Sequence, residues 1–478
     1  MNNKNVLDIF LEPRSVAVIG ATERQGAWGS IIMKGLLAAK YSGRLYPINK
    51  RSKSVYDIKT YSDIRHVPDP IDLAVIAIPE HSIEEIITSC GEKGVKGITI
   101  ITAGFGEIAG NTRDREIALA ELANSYKMRL LGPNVSGTFN LHAGFNASGS
   151  SFKHLFPTRL AGICQGGFAL YDLFSSGFAR KMGVGRFVQT GNECDLNAAD
   201  FLEHFGDDPE IDGIIMYLET VRAGKRFIDV AKDVSRKKPI IVHKAGKTKS
   251  GIRAAKSHTG AIASRSEIYD GLFHQSNVIV SPTMELLLPV AHAAIERPPM
   301  RGRRVAIITM GGSWGVPLTD CLGNLNLEVP ELAAVTQKKL QDLGMPERAS
   351  AKNPVDIGAA GVGLISSKML SEMVRIILVS GDVDALILHG LGRPGMYEKD
   401  ASEQWEFLTE LEKEMITNVC NLEKEIKAPV MIGTIFSPWE SQTVHDLNAK
   451  GLRIYNSLDE IAQILSLMYK YWKNKLTA

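Results

Sequence analysis

The sequence predicts an α/β protein made of three doubly wound domains with mainly parallel sheets. Short runs rich in Val and Ile are apolar on successive residues, as strands covered on both faces must be. Each run breaks into a glycine or polar turn and then into a stretch with the apolar spacing of a helix, the mark of repeated βα units. The pattern starts afresh three times along the 478 residues, always as strand, glycine turn and helix.

The first set comprises "SVAVIG" (15–20), "RLYPIN" (44–49), "LAVIAIP" (73–79), "GITIITAG" (97–104) and "MRLLGPN" (128–134), which assigns residues 1–145 to a first domain. The polar stretch "NASGSS" (146–151) interrupts it. A second domain, 146–297, then holds "LAGICQGG" (160–167), "RFVQTGN" (186–192), "GIIMYLE" (213–219), "PIIVHKAG" (239–246) and "NVIV" (277–280). "ERPPMRGRR" (296–304) reads as a basic, Pro-rich linker that no strand accommodates. The third domain, 298–478, carries "VAIITMGG" (305–312), "DALILHG" (384–390), "PVMIGTIF" (429–436) and "LRIYN" (452–456). It closes on an amphipathic helix over 459–476, acidic at its start and basic at its end, as the helix dipole favours.

Composition removes several function classes. Lys plus Arg, 55, nearly balances Asp plus Glu, 53, so no global field points to nucleic acid or an anionic membrane. No run approaches the roughly 18 apolar residues of a membrane span, and the start "MNNKNVLDIFLEPRS" does not read as a secretion leader. The five cysteines, Cys90, Cys164, Cys194, Cys321 and Cys420, lack both C-x-x-C spacing and a disulfide pattern. A cytoplasmic protein without a metal site is expected.

"VAVIGATERQGAWG" (16–29) resembles a dinucleotide fingerprint at first sight, yet its spacing fails. That fingerprint needs G-x-G-x-x-G so that the second glycine lets backbone touch the pyrophosphate. Here Gly20 is followed by Ala21 and Thr22, and the next glycine is Gly26. The second strand ends in Asn49, Lys50 and Arg51 where an NAD site places an acid, so the ligand expected is one with a phosphorylated ribose, NADP or coenzyme A. Trp28, just beyond the turn, is expected to pack the following helix. The turns "CQGG" (164–167) and "MGGSWG" (310–315) each present backbone N–H groups at a helix start, an arrangement that attracts phosphate.

"HKAGKTKSGIRAAKSHTGAIASRSEIYDGLF" (243–273) is the most telling segment. Lys247, Lys249, Arg253 and Lys256 precede His258, which sits among the small residues Ser257, Thr259 and Gly260. A neutral imidazole so unshielded is a nucleophile near pH 7, and the cations balance a phosphoryl group; the same histidine also reads as a helix cap.

Together "EPRSVAVIGAT" (12–22), "YPINK" (46–50), "DLAVIAIP" (72–79), "TAGFGE" (102–107), "LGPNVSG" (131–137), "MYLE" (216–219), "KSHTGAIA" (256–263) and "NPVDIG" (353–358) make the whole chain resemble the α subunit of ADP-forming acyl-CoA synthetases, relatives of succinyl-CoA synthetase. The resemblance implies a Rossmann-like CoA-binding domain followed by two flavodoxin-like ligase domains. It implies that His258 is transiently phosphorylated and that Glu219 of "MYLE" orients its ring. It implies phosphate contacts at Gly166, Gly167, Ser257, Thr259, Gly312 and Ser313. CoA contacts are implied at Gly20, Ala21, Thr22, Asn49, Lys50, Ile78, Pro79 and Asn134. The other substrate would be a small carboxylic acid or acyl-CoA, with ATP or ADP and Mg2+ bound mainly by a separate ATP-grasp β subunit in an α2β2 assembly. Two departures stand out. Cys164-Gln165-Gly166-Gly167 replaces the family's Ser-x-Ser-Gly, removing two hydroxyls, and Trp314 is a bulky side chain in the third domain's glycine turn. The altered turn motivates an alternative, a non-catalytic CoA-binding regulatory or scaffold protein; the first domain alone motivates an NADP oxidoreductase.

Overall fold

In the computed structural model the described residues are 4–105, 112–150, 155–167, 169–253, 266–346, 348–358, 365–392 and 403–477. Strand β1 (Ser15–Ile19) is buried at every position. Its alternate residues enter two different cores, Val16 and Val18 on one face, Ala17 and Ile19 on the other. That is the period-two geometry of a strand with helices on both faces, and it explains why no polar residue alternates in the sequence. β2 (Arg44–Ile48) pairs with β1, and a short hairpin, β3 (Ser54–Val55) and β4 (Ile58–Lys59), follows it. β5 (Leu73–Ile76), β6 (Gly97–Ile100) and β7 (Arg129–Leu131) complete a parallel sheet of order β2-β1-β5-β6-β7.

The second sheet starts earlier than the sequence indicates. β8 (Gly137–Asn140) and β9 (Phe145–Ser148) form an antiparallel hairpin, and β8 pairs with strand β11 (Arg186–Gln189) of the second sheet, so residues assigned to the first domain belong to the second sheet. The polar letters concealed a buried strand pair. Asn140 accepts the N–H groups of His142 and Ala143 and donates to Glu12, and Ser148 donates to Asn146, so these side chains are satisfied by protein partners. β10 (Leu160–Cys164), β11 (Arg186–Gln189), β12 (Gly213–Leu218), β13 (Ile240–Lys244) and β14 (Ile279–Val280) are parallel, and the full order is β14-β13-β12-β10-β11-β8-β9.

β15 (Val305–Thr309), β16 (Val355–Asp356), β17 (Ala385–His389), β18 (Val430–Gly433) and β19 (Ile454–Tyr455) make the third sheet, all parallel, in the order β16-β15-β17-β18-β19. The helix Leu458–Thr477 follows, as its charge pattern predicts. The stretch read as a linker is partly internal. Arg297 is buried against the Glu423 carboxylate at 2.8 Å.

Counted by its own parallel strands, each sheet has the order 2-1-3-4-5. Each therefore has a topological switch point between its first and third strands, where a crevice opens at the carboxyl ends and ligands bind. The chain forms two compact bodies rather than three. One holds the first two sheets, residues 1–176 with 183–287; the other holds the third sheet, residues 177–182 with 288–478. Among the described residues no helix is long and apolar enough to cross a membrane, and all five cysteines are unpaired.

Candidate functional site

At the first switch point β1 runs into Gly20, whose φ is +90°. A Cβ there would lie 2.4 Å from the Ala77 carbonyl oxygen, and one on Gly29 would lie 2.0 Å from the Gly20 carbonyl oxygen. The turn is thus wedged between the end of β5 and the start of the helix Trp28–Ala38, which has no side-chain cap. Glycine is required by close approach, even though the fingerprint spacing is absent.

The carboxyl ends of the first and second sheets share one cleft of about 790 Å³. It brings together seven of the predicted residues: Gly20, Thr22, Ile78, Pro79 and Asn134 from the first group, Gly166 and Gly167 from the second. Ala21 is buried beneath it. Asn49 turns both ends of its carboxamide to backbone, donating to Ala21 at 2.7 Å and accepting from Arg51 and Ser52. It buttresses the turn, and neither it nor exposed Lys50 lines the cleft. The cation on the wall is Arg24. Trp28 both packs against the core and lines the cleft. Sequence reasoning missed Arg24, Gln165, Gln189 and Asn192; only Arg24, as a cation within the opening turn, carried a signal.

The second switch point forms the far wall. β10 leaves the sheet at Gln165, whose backbone N–H still donates to the Tyr217 carbonyl at 3.0 Å. Its side-chain carbonyl then accepts the N–H groups of Glu219 at 2.9 Å and Thr220 at 2.7 Å. Glu219 follows directly on β12, and its Oε1 lies where a Cβ on Gly166 would approach within 2.7 Å. The carboxylate therefore overhangs the Gly166 backbone, occupying the space of the hydroxyl-bearing side chain that the sequence lacks. Cys164 is buried and donates to the Gly166 carbonyl at 3.0 Å, and burial pushes its thiol up to about 12, leaving it a neutral packing group. Across the register from Leu218 stands Lys244, buried over the Tyr269 ring at 4.3 Å. Burial brings its ammonium down to about 8 against the pull of Glu219.

Glu193, beyond the turn that follows β11, is 4% exposed and accepts from Thr190 Oγ1 at 2.8 Å and from the Ala198 N–H at 3.1 Å. Burial raises its carboxyl to about 7, with Thr190 and Arg222 opposing the rise. Asn134 and Asn192 are linked across the cleft wall at 3.3 Å, and Asn192 donates onward to Glu116 at 2.6 Å.

At the third switch point, in the other body, the helix Gly312–Asn324 starts with Gly312 against Asp356: a Cβ on Gly312 would sit 2.5 Å from the Asp356 Oδ2. Ser313 is exposed. Trp314 lies over His389, ring centroids 5.5 Å apart. His389 is fully buried with neither ring nitrogen hydrogen-bonded among the described residues, and burial lowers it to about 4, so it is neutral. His258, Ser257 and Thr259 lie outside the described residues. The chain leading to them leaves β13 at Lys244, and the helix Ser266–Gln275 follows them.

Two family models match the chain: a CoA binding domain over residues 14–139 and a succinyl-CoA ligase like flavodoxin domain over 157–294. The acetate–CoA ligase (ADP-forming) I subunit alpha of Pyrococcus furiosus is 34% identical over 98% of this chain and 99% of its own length. The acetate–CoA ligase (ADP-forming) II subunit alpha of the same organism is 37% identical over 80% and 82%. Among solved structures, the dinucleotide forming acetyl-coenzyme A synthetase 1 of Ca. Korarchaeum cryptofilum, in complex with phosphate and ADP, superposes with a TM-score of 0.84 at 30% identity, covering 99% of each chain.

Proposed function

The chain belongs to the ADP-forming acyl-CoA synthetases as an α subunit, and on that premise we propose that the cleft is its CoA site and that His258 carries the phosphoryl group between acyl phosphate and nucleotide. The reaction interconverts acyl-CoA, ADP and phosphate with carboxylic acid, CoA and ATP. The observation that carries the residue assignment is the Glu219 carboxylate overhanging Gly166 on the wall of a cleft that also includes Gly20, Ile78 and Pro79.

The steps balance as exchanges of one activated bond for another. A phosphate oxygen attacks the thioester carbonyl, the C–S bond breaks, and CoA leaves as thiolate, giving acyl phosphate. A ring nitrogen of His258 attacks phosphorus, and the carboxylate departs. The phosphohistidine N–P bond then breaks as a β-phosphate oxygen of ADP takes the phosphoryl group. Backbone N–H groups of the Gly166–Gly167 turn hold the phosphoryl oxygens, which suits a turn without side chains. Glu219 accepts from the His258 ring and stabilises the cation that forms during transfer. Arg24 takes a CoA phosphate in place of Lys50. The substrate is a small carboxylic acid. The names of the relatives favour this catalytic reading over a non-catalytic CoA-binding one.

Those names also speak of a subunit, so we assign ATP or ADP with Mg2+ mainly to an ATP-grasp β partner in an α2β2 assembly, located in the cytoplasm. Incubating the chain and its partner with acetyl-CoA and labelled phosphate should yield an acid-labile, base-stable phosphoprotein, and His258→Asn should abolish the label. Label that survives the substitution overturns the role of His258.

A further inference from the structure

At the exit of β10 the chain turns away from the sheet, while its neighbour β12 continues to the functional carboxylate. Two backbone N–H groups, those of Glu219 and Thr220, thereby lose the strand that would have accepted them. The Gln165 side-chain carbonyl replaces that strand, accepting both at 2.9 and 2.7 Å, while the Gln165 main chain still holds Tyr217 at 3.0 Å. A carboxamide placed so has its orientation fixed: the oxygen faces Glu219 and Thr220, and the nitrogen faces the other way.

Gln165 is itself buried, 5% exposed, so its carbonyl is the acceptor on which the two part-buried N–H groups depend. An aliphatic side chain in its place would leave both donors without that acceptor.

We infer that Gln165 is a positioning residue for Glu219: its side-chain carbonyl fixes the Glu219–Thr220 backbone so that the Glu219 carboxylate stays over Gly166. The inference rests on the reading of Glu219 and His258 given above. Gln165 acts through the station it gives the Glu219 carboxylate. Misplacing such a partner by about 1 Å costs on the order of a hundredfold in rate.

The test uses the full chain with its partner subunit, and reads the phosphoprotein formation rate together with the melting temperature. Gln165→Leu should slow labelling ten- to hundredfold, and Gln165→Glu, which keeps an acceptor for the Glu219 and Thr220 N–H groups, should recover most of that loss. A double-mutant cycle separates positioning from general support: in a Glu219→Gln background, Gln165→Leu should add no further loss. Full additivity of the two, or unaltered labelling in a folded Gln165→Leu chain, overturns the inference. Should Gln165→Leu fail to fold, Gln165→Met, which keeps the shape and lacks the acceptor, is compared with Gln165→Glu: equal loss in both refutes it. Label retained in His258→Asn identifies a failure of the underlying reading instead.

Discussion

The second and third switch points are built on the same strand order and end in opposite chemistry. At the second, the central strand β12 delivers an acid, Glu219, and its neighbour supplies a glutamine that satisfies the strand end on three sides. At the third, the corresponding strand β17 delivers His389, buried beneath Trp314 with no hydrogen bond to either nitrogen among the described residues. The acid of the third site, Asp356, comes from the edge-side strand β16 and lies against the helix start at Gly312. The fold thus offers the same crevice in both places, and what each can do is set by the side chains at the strand ends. A glycine turn alone does not make a phosphate site.

The sharpest way to break this contrast is Glu219→Gln. If the second crevice is the transfer site, phosphoprotein formation should fall by a factor of about 10² to 10³, the usual cost of a preorganised electrostatic partner, with CoA binding retained. A rate within threefold of the unaltered chain would move the transfer site elsewhere and remove the distinction between the two crevices.

Next in size is an opposition in pH dependence. Glu193 rises from an ordinary value of 4.5 to about 7, so between those values the unfolded chain is ionised and the folded chain still holds its proton. That contribution to stability is full below pH 4.5 and is lost as pH rises to 7. His389 falls from 6.5 to about 4, so between them the unfolded chain gains a proton that the folded chain refuses. Its contribution is present above pH 6.5 and lost as pH falls to 4. Each amounts to roughly 3 kcal/mol across its window. Unfolding followed by calorimetry from pH 4 to 7 should therefore show Glu193→Gln removing a loss at the neutral end and His389→Leu removing one at the acid end. His389→Leu should also raise stability by about 1 kcal/mol at pH 7, since it deletes unsatisfied buried nitrogens without leaving a cavity. Parallel slopes in the two variants would refute the opposition.

These groups also mark how far the sequence could be read. The strands were legible because their apolar runs are unbroken, and the first glycine turn because tight approach to backbone leaves no substitute for Gly20. The β8–β9 hairpin was not legible, since Asn140, Asn146 and Ser148 look like a loop until the bonds of Asn140 to Glu12 and the His142 N–H, and of Ser148 to Asn146, are seen. The same holds for Asn49, which sits where a ligand contact was expected and spends its carboxamide on backbone. Gln165 gave no signal at all. Its meaning lies in a contact between residues 165 and 219 that only parallel pairing of β10 with β12 creates. Charge on a motif is readable; the geometry that aims it is long-range.

Gly166 offers a smaller perturbation. Gly166→Ala would set its Cβ 2.7 Å from Glu219 Oε1, and the flexible end of Glu219 can swing clear at little cost in stability. The carboxylate would then leave its station, so labelling should slow about tenfold with a melting temperature close to the original. Gly166→Ser displaces it equally but returns a hydroxyl to the turn, and should lose less. Equal activity in all three chains would mean that the overhang is incidental.

The smallest expected effect tests the third site by the same logic in reverse. Asp356 places a carboxylate at the positive end of the helix Gly312–Asn324, and its Oδ1 accepts the Gly358 N–H at 2.8 Å. A phosphoryl group brought to Gly312 and Ser313 would meet that negative charge, so the turn as built favours the carboxylate it already has. Asp356→Asn keeps the acceptor for Gly358 and removes the charge. An interaction of an anion with a helix start is worth about 0.3–1 kcal/mol, so inorganic phosphate or pyrophosphate should bind this body severalfold more tightly in the variant, measured by calorimetry or chemical shift at Gly312. If Asp356→Asn instead weakens binding, the carboxylate is part of the anion site, acting through a bound cation, and the third crevice ranks with the second as a place where the transferred group is held.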